Sequence, residues 1–232
     1  EAIFRALSAD ADMENLSLDS TCIKVHESAN GGEKTADKAV GRTRGGLNTK
    51  LHAIVDGLGN PVEFMLSAGN DHDSVHAVEL LEKVEISGSN VLADRAYGAK
   101  TIRAYISDQG ASYVIPPQSN VSDPWPVDWS LYKERHLVEC FFQKLKWFRR
   151  IATRYDKLDA SFLAFVYSAS IAILLISTVS LIFQTRLKLH DGSVVLSGLS
   201  VTKGSAVAAY LCMECKKVLI DYSEEMSDLN AR

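Results

Sequence analysis

The pattern of apolar and polar positions predicts a chain of mixed α and β structure. Residues 15–26 alternate as a half-buried strand does, and residues 50–69 have the pattern of two strands joined by a tight turn at DGLGNP, which is an antiparallel hairpin. Residues 90–100 begin with a short apolar strand that ends on Asp94, and residues 111–117 suit a last strand stopped by prolines.

Two helices are predicted between these strands. Residues 71–85 carry apolar side chains at helical spacing behind an aspartate cap, and residues 99–110 suit a helix closed by a glycine. The polar, glycine-rich residues 32–48 predict a loop, and the proline-rich residues 116–129 predict an extended bridge to a further helix. This order predicts an α/β (α+β) fold, in which helices pack on a mixed sheet.

Residues 131–150 predict one amphipathic helix with a positively charged, solvent-facing side. At about 100° per residue, five polar side chains fall within about 40° of one direction: Tyr132, Arg135, Glu139, Lys146 and Arg150. One interpretation of the central carboxylate, Glu139, is a local pair with Arg135 and Gln143, worth about 0.2–0.5 kcal/mol. The other is that a metal ion lies between this carboxylate and a phosphate held by the same face.

The composition indicates a globular protein of one domain, or one domain with an appendage. The chain has 232 residues, 47% of them hydrophobic, and a net charge of −4 at pH 7. That charge excludes a uniformly basic nucleic-acid coat protein, so any nucleic-acid contact must come from a local patch. Residues 132–157 form such a patch, with eight Lys or Arg against three Asp or Glu, and Arg42, Arg44 and Lys50 add to it. Four scattered cysteines indicate a reducing compartment.

Residues 160–185 contain no charged side chain and are long enough to span a bilayer. Four serines interrupt the stretch after Phe162, its flanks carry no aromatic belt, and it follows a basic segment suited to DNA or an acidic partner. We therefore expect a C-terminal apolar helix buried in the core and no membrane partner.

Asp19 and Asp94 are the candidate partners of Glu139. Asp19 lies in the first predicted strand and Asp94 at the end of the fourth, where a strand fixes a side chain and its end is open to a ligand. Taken singly, Asp19 also suits a turn, and Asp94 suits a helix cap or a pair with Arg95. Together the three carboxylates are the hard oxygen ligands that Mg²⁺ or Mn²⁺ prefers. Two such ions about 4 Å apart would clamp the attacking and leaving oxygens of an in-line displacement.

The chain resembles the catalytic part of bacterial insertion-sequence transposases of the DDE class, whose fold is ribonuclease H-like. The resemblance covers residues 19–174 and rests first on DST at Asp19, GRTRGGLNTKLHAIVDGLGNP from Gly41, GNDHDS from Gly69 and LADRAYGA around Asp94. It rests further on the family signature of Tyr, two residues, Arg, three residues, Glu, six residues and Lys, which matches Tyr132, Arg135, Glu139 and Lys146.

The resemblance implies an enzyme that cuts DNA strands at the ends of an insertion sequence and transfers them to a target. Asp19, Asp94 and Glu139 would be catalytic and would bind Mg²⁺ or Mn²⁺, as two ions. Arg135 and Lys146 would hold DNA phosphates, and Tyr132 would lie near the cut strand. The basic patch adds four more expected DNA contacts: Arg150 in the same segment and the loop cations Arg42, Arg44 and Lys50. The expected partners are transposon-end and target DNA and further copies of the chain in a synaptic complex, in the bacterial cytoplasm on the nucleoid.

Three segments are expected: a truncated N-terminal segment at 1–14, the ribonuclease H-like DDE domain at 15–176, and an atypical C-terminal extension at 177–232. The extension contains CMEC, which is half of a zinc site without a second pair. Because both ends depart from the family, an inactive DNA-binding remnant is the alternative function.

Five further residues are of interest without an assigned role in the family. His52, His72 and Asp73 match family positions, although a lone histidine is more often a satisfied core or surface residue. Trp125 and Trp129, in the proline-rich bridge, suit stacking on an unpaired base near the cut.

Overall fold

A computed structural model describes residues 1–29, 39–119 and 121–188 of the chain, with side chains up to residue 176. The chain divides into two compact units, Glu1–Leu175 and Ile176–Arg232. Of the second unit, the structure describes the helical residues 176–188. The predicted C-terminal extension and its CMEC sequence thus lie almost entirely outside the described residues.

A short helix and four strands come first in the chain, and helices interspersed with strands follow them. The strands of the described residues are β1 (Asn15–Val25), β2 (Gly41–Thr43), β3 (Gly46–Val55), β4 (Pro61–Ala68), β5 (Asn90–Ala93), β6 (Ser112–Val114) and β7 (Thr153–Arg154). The α-helices are α1 (Ala2–Leu7), α2 (Ala77–Leu81), α3 (Lys100–Asp108), α4 (Trp129–Tyr132), α5 (His136–Lys146), α6 (Arg149–Ala152) and α7 (Asp159–Lys188). Short 3₁₀ turns lie at Glu27–Ala29, Asp73–Val75, Arg95–Tyr97 and Lys133–Arg135.

The strands of the first unit form one mixed sheet. Its main path is β2-β3-β1-β5-β6, with β4 paired to β3 and β7 paired to β1. β1, β3 and β4 are antiparallel neighbours, whereas β1, β5 and β6 run parallel. The expected mixed sheet with packed helices is therefore confirmed.

Alternation along the strands divides the core between the two faces of this sheet. We call one the α5 face; its strand side chains pack against α5 and α7, and the cluster includes Ile23, Leu51, Ala53, Val55, Val138, Phe141, Leu145, Phe162 and Val166. We call the other the α2 face; its cluster includes Leu16, Leu18, Ile54, Val91, Ala93, Leu80, Leu81, Ile102 and Ile106. Odd-numbered positions of β1 from Asp19 to Ile23 thus point to the α5 face, and Ser20 points to the α2 face.

The predicted loop over residues 32–48 is wrong in its second half. β2 and the start of β3 form a short hairpin there, with Gly41 opposite Asn48 and Thr43 opposite Gly46. This hairpin is held by backbone pairing and carries few apolar side chains, so hydrophobic periodicity gives no sign of it. The predicted hairpin over residues 50–69 is confirmed as β3 and β4, and Gly59 supplies a positive φ of 80° in its turn.

The single helix predicted over residues 131–150 is also wrong in detail. A 3₁₀ turn joins α4 to α5, and α5 ends at Lys146 with Trp147 as its C-cap. Phe148 is extended, with φ −79° and ψ 107°, and its ring packs partly buried against the α5-face core. This break changes the direction of the chain, so Arg150 on α6 does not continue the stripe that contains Glu139.

The helix predicted over residues 71–85 is shorter than expected. A 3₁₀ turn at Asp73–Val75 precedes α2, which covers only Ala77–Leu81. Val75, one of the periodic apolar positions, is 67% exposed. The Asp73 side chain in this turn contacts Ser20 on β1 and Lys50 on β3. These contacts replace a regular helical start.

Helices at both ends of the first unit pack on the α5 face. Phe4 of α1 is buried, with ring centroids 5.4 Å from Phe64 and 5.1 Å from Tyr167. The window Asp159–Ile176 of α7 is apolar enough to cross a membrane by length and composition, with a mean hydropathy of 1.9. Its buried side chains nevertheless lie in the sheet core, as the sequence predicted for a core helix.

Arg154 on β7 joins three parts of the α5 face. Its side chain is fully buried and donates to Thr49 Oγ1 at 2.9 Å and to the Asp156 carbonyl at 2.9 Å. It also forms an ion pair with Asp159, at the start of α7. The Asp159 carboxylate in turn accepts from the Ala39 amide at 2.8 Å, so one buried cation fixes β3, β7 and α7 together.

Candidate active site

Asp19 and Asp94 lie side by side on adjacent parallel strands. In the ladder between β1 and β5, Leu18 is opposite Ala93, so the next residue on each strand is an aspartate at the same level of the sheet. Asp94 accepts a hydrogen bond from the Ala96 amide at 2.9 Å and begins the 3₁₀ turn that follows. The predicted capping role of Asp94 is therefore present, and the same contact fixes its carboxylate at the strand end.

Asp19 lies in the middle of β1, which excludes the turn interpretation. Its carboxylate accepts from the Ser20 amide at 2.7 Å and from Arg135 Nη1 at 2.9 Å. Burial raises the pKa of Asp19, and the negative charge of Asp94 raises it further, while the Ser20 amide and Arg135 act in the opposite direction. A carboxylate in this setting is stabilised in its charged form by any additional cation.

Glu139 reaches the same place from α5. Its side chain is half exposed and pairs with Arg135, four residues earlier, so the predicted local pair exists. The same guanidinium also binds Asp19, which is 116 residues away in the sequence. Arg135 therefore bridges the helix carboxylate and the strand carboxylate, which the local interpretation alone does not require.

The rest of the signature follows β1 along the same face. Lys146 Nζ donates to Thr21 Oγ1 at 2.6 Å, and Thr21 is two residues beyond Asp19 on the strand. The ring of Tyr132 lies 5.9 Å from the Arg135 guanidinium. Arg135 and Lys146 thus contact β1 at positions two residues apart. We call Tyr132, Arg135, Glu139 and Lys146 the signature row.

These carboxylates suit a hard divalent cation in their chemistry. Asp19, Asp94 and Glu139 all offer carboxylate oxygens, which are the ligands that Mg²⁺ and Mn²⁺ prefer. Within the described part of the chain, no three acidic, histidine or cysteine side chains lie close enough to hold a metal ion as they stand. Arg135 instead supplies positive charge between Asp19 and Glu139.

Three of the predicted DNA-contact cations lie away from this row. Arg150, on α6, pairs with Asp156 at 3.2 Å, and its guanidinium lies over the Phe165 ring, 4.2 Å from the centroid. Arg42 and Arg44 are exposed on the β2–β3 hairpin, about 20 Å along the sheet from the level of Asp19.

Lys50 lies on the opposite side of the sheet from Asp19. It is opposite Cys22 in the β1–β3 ladder, which puts both on the α2 face. Its ammonium group pairs with Asp73 at 2.8 Å. The structure therefore does not bring Lys50 to the signature row.

The two tryptophans of the proline-rich bridge differ in their surroundings. Arg103 covers the Trp125 ring at 3.6 Å, and the indole nitrogen donates to the Ile115 carbonyl at 2.7 Å. Trp125 thus ties the bridge to β6 and α3. Trp129 is 57% exposed, and its ring meets that of Tyr132 edge-on, with the centroids 5.7 Å apart. Of the two tryptophans, it is therefore Trp129 that has a ring face open to a ligand beside the signature row.

His52 is a buried core residue with a polar partner. Its Nε2 lies 2.8 Å from Ser67 Oγ, and its ring is 5.5 Å from that of His76. Burial lowers the pKa of His52 to about 4, with a further contribution from His76. This is the satisfied core histidine that the sequence favoured. His72 is exposed, whereas Asp73 contacts both β1 and β3 in a way that its sequence context did not predict.

Comparison with known proteins identifies the family of the chain. The profile of the family described as Transposase DDE domain matches residues 10–124, which include Asp19 and Asp94. A candidate transposase of insertion sequence element IS6501 from Brucella ovis is 43% identical over 124 residues, and the match covers 53% of this chain and 95% of the relative. The chain belongs to the family of insertion-sequence DDE transposases. The signature helix with Glu139 lies beyond the part matched by the family profile.

Two solved transposase structures are similar in outline. The piggyBac transposase synaptic complex with hairpin DNA has a TM-score of 0.44 at 10% identity, and the match covers 70% of this chain and 46% of that one. The Mos1 transposase paired-end complex with the left transposon end has a TM-score of 0.31 at 15% identity, covering 73% of this chain and 63% of that one. The chain thus spans less than two thirds of either structure, and the fold assignment rests on the strand order described above.

Proposed function

We propose that the first unit of this chain cuts DNA at the ends of an insertion sequence and joins the freed 3′-hydroxyl to a target. The observation that carries the proposal is that Asp19 and Asp94 follow paired positions of β1 and β5, and that the Arg135 guanidinium joins Asp19 to Glu139 of α5. Residues 15–176 would form the catalytic domain, and residues 177–232 an extension with no assigned part in the reaction.

In this proposal Asp19, Asp94 and Glu139 hold Mg²⁺ or Mn²⁺, as two ions. When bound, the ions supply an activated water and charge stabilisation for the departing 3′-oxygen. The chain's own contribution is to fix the ligands. The amide of Ser20 orients Asp19, and that of Ala96 orients Asp94, each through one hydrogen bond.

DNA would lie along the row formed by the signature residues. Lys146 and Arg135 would bind phosphates, which position the strand without reading its sequence. Tyr132 and the exposed face of Trp129 would contact the strand or an unpaired base beside the cut. Exposed cations further along the surface would bind flanking phosphates: Arg42, Arg44 and Arg150.

The proposal also fixes the partners and the compartment. The nucleic-acid partners are transposon-end DNA and target DNA, and we propose that copies of the chain assemble in the synaptic complex. A protein acting on bacterial DNA would work in the cytoplasm, on the nucleoid.

The direct test is cleavage of a DNA duplex that contains the end of the chain's own element, with purified protein and Mg²⁺. Asp94→Asn and Glu139→Gln should each abolish nicking while leaving DNA binding and thermal stability close to those of the wild type. Matched controls are Asp108→Asn, on the exposed end of α3, and Glu134→Gln, on the turn before α5. Both controls should cut normally.

Two results would contradict the proposal. Nicking that survives in Asp94→Asn or Glu139→Gln would remove these carboxylates from the reaction. A wild-type chain that binds the duplex but never nicks it would favour an inactive DNA-binding remnant.

A further inference from the structure

A polar cluster lies on the α2 face of the sheet, around Ser20, which is the residue next to Asp19 on β1. Ser20 Oγ donates to Asp73 Oδ1 at 2.6 Å, and Lys50 Nζ lies 2.8 Å from the same oxygen. Lys50 is only 13% exposed and Asp73 31% exposed in their side chains. Asp73 therefore ties β1 to β3 from the side of the sheet opposite to the three carboxylates.

The loop that presents Asp73 is itself held in place. Lys50 Nζ also donates to the Asp71 carbonyl, and the Asp71 carboxylate lies 3.0 Å from His76 Nε2 at the start of α2. Gly69 packs so closely on β3 that an added Cβ would fall 2.6 Å from Asn48 Cβ and the Asn48 carbonyl oxygen. A loop fixed at both ends presents its aspartate in one orientation.

Tyr97 connects this cluster to Asp94. It is 1% exposed and lies in the 3₁₀ turn that Asp94 begins, three residues further along the chain. Burial raises the pKa of Tyr97, and the negative charges of Asp19 and Asp73 raise it further, whereas the nearby Ser20 hydroxyl lowers it. Among the described residues its hydroxyl reaches no partner with ordinary hydrogen-bond geometry.

We propose that Asp73 is a positioning residue for the metal site. Its hydrogen bond with Ser20 fixes the part of β1 that contains Asp19. The turn that contains Asp73 also packs against the turn that contains Tyr97, and this packing fixes the position of Asp94 at the start of the second turn. The proposal rests on the proposed function, since it concerns the same two carboxylates. In this proposal the GNDHDS segment holds the metal ligands in position, and Asp73 itself contacts neither metal nor DNA.

A purely structural ion pair is the competing explanation, and it makes a different prediction. Loss of a structural pair lowers the free energy of unfolding but leaves the affinity of the folded protein for a metal ion unchanged. Loss of a positioning contact lowers that affinity, because the ligands are no longer held at the required separation. Metal affinity of the folded chain therefore separates the two explanations.

The experiment measures Mn²⁺ binding to the full chain by electron paramagnetic resonance, with no DNA present. Ser20→Ala and Asp73→Asn should each weaken Mn²⁺ binding about 10-fold, since partners of metal ligands contribute on that scale. Ser20→Ala removes one hydroxyl and serves as the milder variant if Asp73→Asn does not fold. Circular dichroism in EDTA identifies the variants that are folded.

Asp108→Asn is the matched control. It removes an exposed carboxylate at the end of α3, which is not among the contacts that hold Asp73. Its Mn²⁺ affinity should stay within about twofold of the wild type, because no contact to β1 or to the Asp73 loop is lost.

The outcomes distinguish failure of the inference from failure of the proposed function. If the wild type binds Mn²⁺ and Asp94→Asn abolishes binding, while Ser20→Ala binds as tightly as the wild type, the positioning role is wrong and the metal site stands. If the wild type itself does not bind Mn²⁺, or Asp94→Asn binds normally, the proposed metal site is wrong and the positioning role fails with it.

Discussion

Arg135 Nη1 donates to the carboxylate of Asp19 at 2.9 Å, joining the signature helix to the middle of the central strand. The same guanidinium pairs with Glu139. Because one planar cation serves both carboxylates, the side chain fixes the position of α5 relative to β1. It does so at the point where the proposed metal ligands meet.

Arg135→Lys should lower the rate of DNA nicking about 10- to 100-fold, because a lysine ammonium cannot bridge two carboxylates as a guanidinium does. Affinity for DNA at low salt should change little, since the charge is kept. Single-turnover nicking and a filter-binding assay measure the two quantities. Arg149→Lys, on the exposed side of α6, is the control and should nick like the wild type.

Lys146→Ala should weaken DNA binding by the same factor for every sequence, because it removes one phosphate contact. The slope of the logarithm of affinity against the logarithm of salt concentration should fall by about 1. Lys157→Ala removes an exposed lysine outside the row and should leave the slope unchanged. Equal slopes for Lys146→Ala and the wild type would mean that Lys146 does not contact a phosphate.

Arg154→Leu should lower the free energy of unfolding by about 3–5 kcal/mol, because it leaves the Asp159 carboxylate and the Thr49 hydroxyl without their buried partner. Arg149→Leu changes an exposed position on α6 and should cost about 0.5 kcal/mol or less. Urea denaturation of both variants measures the difference. Similar losses in the two would show that Arg154 is not the buried link described above.

Stability should fall in mild acid because of His52. Its folded-state pKa is about 4, below the ordinary value of 6.5, so the unfolded chain binds a proton that the folded chain does not. The stabilisation is complete above pH 6.5 and is lost as the pH falls from there towards 4. At pH 5 the expected loss relative to pH 7.5 is about 2 kcal/mol.

Urea denaturation at the two pH values tests this expectation. His52→Gln should remove most of the difference, because glutamine keeps a polar group beside Ser67 but does not titrate. His72→Gln, at an exposed position, should retain the difference. A difference that persists in His52→Gln would assign the acid sensitivity to another group.

Much of the site could be predicted from sequence because its parts are local. The strand with Asp19, the strand ending on Asp94 and the helix with Glu139 each follow from short-range periodicity and turn residues. The signature spacing predicts that Arg135 and Glu139 share one side of a helix, and in the structure Arg135 is the last residue of the 3₁₀ turn that leads into α5. The residue spacing does not indicate which strand these side chains contact. That follows only from the order of the strands in the sheet.

The features that were missed depend on long-range contacts. Phe148 leaves the helix because its ring packs into the core, a tertiary effect that helix propensity does not report. β2 is held by backbone pairing, and Lys50 faces away from Asp19 because strand register decides its side of the sheet. The bond between Ser20 and Asp73 joins residues 53 apart in the chain.

The central claim is that Asp19, Asp94 and Glu139 meet at one metal site. It is tested most directly by replacing Mg²⁺ with Fe²⁺ in the folded chain, adding ascorbate and peroxide, and mapping where the hydroxyl radicals formed at the ion cut the protein backbone. The account predicts cuts near all three residues, and loss of all three sets of cuts in Asp94→Asn. Cuts confined to one of these positions, or cuts elsewhere that persist in Asp94→Asn, would contradict it.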